Sequence, residues 1–316
     1  MPPPDYVEYG SLATVPGPLR CLGSTQWGFL AEADRERLDA LCRRVFAEPT
    51  GGEVDLRPLG SHVLITLGRI ERIVSEVAPF DRMGSSPEGQ AAVWIPVARV
   101  RDDGDRPVAE ELVMFTPFMW VDNPISLASG REMYGFAKAF GWIQLPESDA
   151  APLGLEVFGM NFGRDETPSR RPLLRLVPGE HVDLAELAWT GLLDLARHLR
   201  EQVEVHAGLR LAESIADEVR KGAVRQAFLH QVRSAEDGHR PALQQATEVT
   251  YQVLRLRGRP LEHEHRLTVS PLDSHPLGPE LGLRDQTIRY AFRTESDFVL
   301  APGRVLWDAG SVPGRR

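Results

Sequence analysis

The sequence predicts an α+β protein built mainly from antiparallel strands. Two observations carry that reading. Runs rich in Val, Ile, Phe and Trp come before and after a central helical stretch, with no regular β-α alternation. No glycine-rich dinucleotide or phosphate loop interrupts them.

In chain order, residues 1–20 are rich in proline and read as an extended arm. A helix begins after Asp34, where Leu38, Leu41, Cys42, Val45 and Phe46 share one face, and "EPTGG" ends it. The runs "SHVLITLGRIERIV", "AAVWIPVARV" and "EELVMFTPFMWV" read as strands, the last two joined by a turn at "DDGD". "LGLEVFGMNF" and "RPLLRLVP" continue the pattern. Residues 183–220 form a helical block. Asp183 is a candidate cap, Leu184, Leu187, Ala188, Leu192 and Leu195 make an apolar stripe, and "LRLAESIADEVRKG" ends in a stop glycine. Strands resume in "EVTYQVLRLRG", "HRLTVS", "TIRYAF" and "DFVLAPGRVLW". The expected organisation is the arm 1–20, one domain over 21–308 and a tail over 309–316.

A formal charge of −9 argues against nonspecific binding to nucleic acid or an anionic membrane. The apolar stretch from Leu184 to Leu199 is broken by Glu186, Asp194, Arg197 and His198, so it reads as an amphipathic helix and not a membrane span. "MPPPDYVEYG" lacks the order of a signal peptide. Two cysteines without a metal or redox spacing read as reduced thiols, and the expected setting is cytoplasmic. No cofactor or metal is predicted. In "EHEHR", His263 and His265 would share a strand face, but no third ligand is placed by spacing, so a solvated strand face is expected.

One cation stands apart. Of 36 Lys and Arg residues only Lys138 and Lys221 are lysine. An arginine cannot replace a lysine whose amine must lose its proton and attack a carbonyl. Lys138 lies among Phe136, Ala137, Ala139, Phe140 and Trp142, and apolar surroundings disfavour an ammonium. Lys138 is therefore a candidate for iminium chemistry with a ketone. Lys221, at the end of a predicted helix, reads as structural.

The segment "DNPISLASGREMYGFAKAFG" resembles the lysine segment of the acetoacetate decarboxylase family, through Asp122, Asn123, Gly130, Arg131, Glu132, Phe136 and Lys138. "GQAAVWIPV", "AFLHQVR" (with His230 in place of a lysine) and "LGLRDQTIRYAFRTESDFVLAPGRVLWD" support the likeness. The resemblance implies a cone-shaped, barrel-like β fold with flanking helices, a homo-oligomer, a small oxo acid as substrate and Lys138 as the Schiff-base residue. Departures accompany it. Ala139 replaces the family's second lysine and Ala137 its proline. No arginine stands near Thr25 to Trp27, where the family holds its substrate carboxylate, and Arg20 is the nearest upstream. The family's two glutamates fall near Leu64 to Thr66 and at Gln90, with Glu88 two residues from the second. Glu88 and Glu295 are candidates for acid/base work. Arg131, Gln90, Tyr290 and Phe136 are candidates for binding substrate, Arg131 through a carboxylate. Decarboxylation is the reaction the family implies. An aldolase-dehydratase or cyclase, and a non-catalytic ligand-binding relative, stay open beside it.

Overall fold

Alternation along the first strand, β1 (Leu19–Glu32), divides the molecule into two interiors. Trp27, Phe29 and Ala31 point to one face, and Ser24, Gln26 and Gly28 to the other. A bulge between Cys21 and Ser24, with Gly23 at φ 66°, keeps both of those side chains on the second face. The computed structural model describes residues 5–102, 107–182 and 222–311. The predicted turn at "DDGD", the helical block 183–220 and Lys221 lie outside or at the edge of them.

After β1, Asp34 caps α1 (Arg35–Cys42) by accepting hydrogen bonds from Glu36 N and Arg37 N. The helix passes through a π turn at Arg43–Ala47 into α2 (Glu48–Thr50), and Gly51 ends it at φ 64°. The strands that follow are β2 (Asp55–Pro58), β3 (His62–Ser75), β4 (Ser86–Asp102) and β5 (Pro107–Val121). Helix α3 (Pro124–Ser129) precedes β6 (Lys138–Gln144), β7 (Leu153–Gly159) and β8 (Ser169–His181). Then come β9 (Ala223–Arg233), β10 (Pro241–Pro260) and β11 (His263–Val269). The last elements are α4 (Leu277–Leu281), β12 (Gln286–Ile288), β13 (Ala291–Leu300) and β14 (Arg304–Asp308).

Pairing runs from β5 through β9, β10, β13, β1 and β3 to β4, and β4 pairs back onto β5. That path is a ring of seven strands. Its pairings are antiparallel except β5 with β9, and β5 also carries β6 in parallel. Strands β6, β7, β8, β11 and β12 form a second layer. The larger core fills the space between ring and layer. Phe29, Ile65, Val93 and Ile95 enter it from the ring, Leu155 and Leu267 from the layer, and Leu38 and Phe46 from the first helix. The smaller core lies inside the ring and contains Ala92, Met119, Tyr134, Phe136, Phe228, Val249 and Leu300. The mainly antiparallel, barrel-like α+β architecture expected from the sequence is present.

Four strands were not apparent in the sequence, β1, β2, β6 and β9, nor were the short helices α3 and α4. Strands β1, β6 and β9 mix polar or small residues into their apolar positions, which hides the strand period. "TIRYAF" divides between β12, which pairs β11, and β13, which pairs β1 and β10. "LGLEVFGMNF" is strand only as far as Gly159.

"EHEHR" departs most from expectation. A register shift separates His263 from His265 on β11. His263 remains partly exposed near the Gly179 carbonyl, at 3.3 Å. His265 is 0% exposed, edge-on to Phe29 at 4.9 Å, with neither ring nitrogen partnered among the described residues. It is a core residue, not part of a solvated face. Among the described residues no group of three side chains could hold a metal.

Burial lowers the His265 pKa below 6.5. The unfolded chain therefore takes up a proton, as pH falls below 6.5, that the folded chain refuses. Stability attributable to this residue is full above pH 6.5 and declines below it. Between pH 7.5 and 5.5 the unfolding free energy from urea titration should drop by less in His265→Leu than in the wild type, by up to about 1 kcal/mol.

Candidate active site

Lys138 reaches the ring interior because of the turn that precedes it. Asn123 caps α3, its Oδ1 accepting from Ile125 N at 2.9 Å and Ser126 N at 3.1 Å, while its Nδ2 donates to the Pro87 carbonyl at 2.7 Å. Asp122 Oδ1 accepts from Gly89 N at 2.7 Å, and Asp122 N donates to the Gly89 carbonyl at 3.1 Å. The Asp-Asn pair thus clamps the start of β4, and with it Glu88, to the lysine segment. A π turn at Gly130–Tyr134 follows, and Gly135 closes it at φ 75°. Phe136 N donates back to the Gly130 carbonyl at 3.0 Å. Gly130 is packed on the lysine stem: a Cβ there would stand 2.8 Å from Lys138 Cδ.

The amine is enclosed. Its Nζ donates to Ser126 Oγ at 2.7 Å, to the Ser126 carbonyl at 3.2 Å and to Glu88 Oε2 at 3.2 Å. Ser126 Oγ in turn donates to Glu88 Oε2. The Lys138 and Glu88 side chains are 7% and 2% exposed. Phe136 places its ring centroid 5.6 Å from Nζ. Burial raises the Glu88 carboxyl above its usual range against the opposing pull of the Lys138 charge, and Asp122 adds to the rise. Burial likewise raises the Cys21 thiol and the Tyr251 phenol, so both keep their protons at neutral pH.

Aromatic residues line the rest of the interior. Phe136 stacks on Tyr134 at 5.1 Å and meets Phe228 at 4.5 Å. Across the ring Trp94 faces Tyr251 at 6.4 Å, and Tyr251 meets Phe298 at 5.5 Å. Gln90, Trp94, Tyr251 and Phe298 face inward and are only partly buried. Trp94 Nε1 donates to Thr66 Oγ1 at 2.8 Å.

The sequence-derived candidates fall into two groups. Lys138, Glu88, Phe136 and Gln90 share the ring interior, Gln90 two residues along β4 from Glu88 on the same face. The others lie elsewhere. Arg131 is exposed and donates to the Lys138 backbone carbonyl at 2.9 Å. It lines an outer cleft of about 770 Å³ with Arg233 and Arg240, whose lining includes Phe136 and Ala137 but neither Lys138 nor Glu88. Glu295 pairs with Thr25 in register, so it lies on the face opposite Glu88, and it binds Arg293 at 3.0 Å. Tyr290 precedes β13, where its carbonyl accepts from Leu30 N at the far end of β1. Ser126, Gln26 and Tyr251 share the interior with Lys138 and were missed in the sequence. The alternation in "EVTYQVLRLRG", once its strand partner is known, is the feature that would have found Tyr251.

A closed strand ring with a lysine-carboxylate pair inside defines a class of protein, a barrel built around a buried amine. No protein-family model and no curated protein matches the sequence. Solved structures do. An acetoacetate decarboxylase from Legionella pneumophila superposes with a TM-score of 0.58 at 17% identity, over 98% of this chain and 94% of that one. An acetoacetate decarboxylase-like enzyme from Sphingomonas wittichii RW1 gives 0.55 at 16% identity, over 96% and 98%. The enduracididine biosynthesis enzyme MppR, solved with pyruvate, gives 0.52 at 13% identity, over 93% and 92%. The chain has the acetoacetate decarboxylase fold.

Proposed function

We propose that this protein is a lyase that takes up a small oxo acid as an iminium on Lys138. The observation carrying the proposal is the enclosure of that amine inside the ring, 3.2 Å from Glu88. An amine adding to a ketone must shed a proton, and the carbinolamine must lose water. A carboxyl raised by burial takes the first proton and returns it to the departing hydroxyl, with Ser126 Oγ between the two groups. The resulting cation withdraws the electron pair of a neighbouring C–C bond. In decarboxylation that bond is to the carboxylate: CO2 leaves, the enamine carbon is protonated, and water releases the ketone and restores the amine. The neighbours named acetoacetate decarboxylase support this reading.

Glu88 also favours a second reading, aldol condensation followed by dehydration, because both steps need an acid/base at the iminium. MppR has been solved with the condensation product of pyruvate and an imidazole aldehyde, which supports the same possibility on this fold.

The test is chemical. The protein is incubated with acetoacetate, acetopyruvate or pyruvate, reduced with borohydride and weighed. Expected is a substrate-sized mass on the peptide containing Lys138. An unchanged mass with every oxo acid overturns the iminium and leaves a ligand-binding relative. CO2 release on the same substrates separates decarboxylation from aldol chemistry.

A further inference from the structure

Two carboxamides stand inside the ring with their hydrogen-bonding capacity largely unused. Gln26 of β1 and Gln90 of β4 are both in register with Gly68 of β3, which lies between them. Directly paired residues share a face, so both amides project over Gly68 into the interior. The floor is bare by necessity: a Cβ on Gly68 would lie 2.5 Å from Gln26 Cδ. Gln26 Nε2 reaches only Ser24 Oγ, at 3.5 Å, and its Oε1 is buried without a partner. Gln90 has no side-chain hydrogen bond among the described residues. A buried amide atom without a partner is costly unless a ligand satisfies it.

The charges nearby are committed. Lys138 and Glu88 face each other, and among the described residues no arginine lies on the inward faces of the ring strands. An iminium on Lys138 is the one positive charge there, and it is already shared between Glu88 and the carboxylate of the oxo acid that forms it. A second carboxylate at the Gln26–Gly68–Gln90 row would be buried with no cation beside it. A carboxamide, by contrast, both donates and accepts, which suits a carbonyl or a hydroxyl oxygen. Gln90 is two strand residues from Glu88, about 7 Å, within reach of a short arm extending from the iminium carbon.

We propose that this row reads an uncharged oxygen on the second arm of the substrate. The substrate class is then an oxo acid extended by a neutral carbonyl or hydroxyl, and dicarboxylic oxo acids are rejected. This rests on the iminium at Lys138.

Acetopyruvate and oxaloacetate make a matched pair, since each is pyruvate extended at C3, by an acetyl group or by a carboxylate. At equal concentration under borohydride, the wild type should accumulate at least ten times more acetopyruvate adduct. Gln26→Arg should shift that ratio at least tenfold toward oxaloacetate. Gln90→Leu should lower the ratio of acetopyruvate labelling to pyruvate labelling about tenfold. Equal or greater labelling by oxaloacetate in the wild type overturns the proposal, as does a ratio that neither substitution changes. Saturation-transfer NMR on Lys138→Ala gives a readout independent of the covalent step. There, acetopyruvate binding at least tenfold tighter than oxaloacetate supports the row, and equal, reversed or absent binding overturns it. A selective NMR result with no borohydride adduct in the wild type sinks the iminium alone.

Discussion

Lys138→Arg should give a folded protein that gains no mass from any oxo acid under borohydride. The guanidinium keeps a positive charge beside Glu88 and Ser126, so the buried contacts that hold this end of the ring retain their sign. What it cannot do is lose its proton and attack a carbonyl. Turnover should fall on the order of 10³-fold or more, the scale on which losing a covalent nucleophile acts. The composition makes the assay easy to read. Lys221 is the only other lysine, so a label maps to one of two side chains or to the N-terminal amine. An adduct persisting in Lys138→Arg, or mapping to Lys221, would place the amine chemistry elsewhere. Circular dichroism and the urea midpoint of the same variant show whether a lost adduct reflects chemistry or unfolding.

The lysine was legible because composition exposed it. In a chain that writes nearly all its cations as arginine, a lysine between aromatic residues is conspicuous. The Asp122–Asn123 pair was legible as a motif, though its work is mechanical: it binds the start of β4 and caps α3. The rest of the interior was not legible, because a strand's sequence gives the alternation of its side chains but not which face meets which. A slip of one residue reverses every side chain. Glu295 illustrates this. It is acidic and sits in a strand with aromatic neighbours, but its register with Thr25 turns it away from the ring interior, and Arg293 engages it there. Gln26 is the converse. Nothing local marks it, and it meets Gln90 only through Gly68, a residue of a third strand. The π turn at Gly130–Tyr134 was equally hidden, since what it requires, room for the lysine stem over Gly130, becomes visible only in three dimensions.

Glu88→Leu should lower stability by about 3–5 kcal/mol at neutral pH, the cost of leaving one member of a buried ion pair uncompensated. Both partners are almost wholly enclosed, so water cannot replace the lost carboxylate. Ser126 offers the remaining ammonium a hydroxyl and a carbonyl, but no opposite charge. Lys138→Met should cost less, about 1–3 kcal/mol, because the carboxyl left behind can discharge itself by binding a proton. Its pH dependence follows. Burial raises the folded Glu88 pKa above its ordinary value of 4.5, and removing the lysine removes the main opposing influence. The folded state then holds a proton that the unfolded state has lost. That contribution is complete below pH 4.5 and disappears as pH climbs through the raised folded value. Urea midpoints of Lys138→Met should therefore decline from pH 5 to pH 8, and adding Glu88→Gln should flatten the decline. The double variant Lys138→Met/Glu88→Leu, with both charges gone, should recover most of the stability lost in Glu88→Leu alone. Additive losses, or a Glu88→Leu penalty below about 1 kcal/mol, would mean that water screens the pair. The amine would then sit in a wet site, where neither its release from Glu88 nor its attack on a ketone has the dry surroundings the mechanism needs.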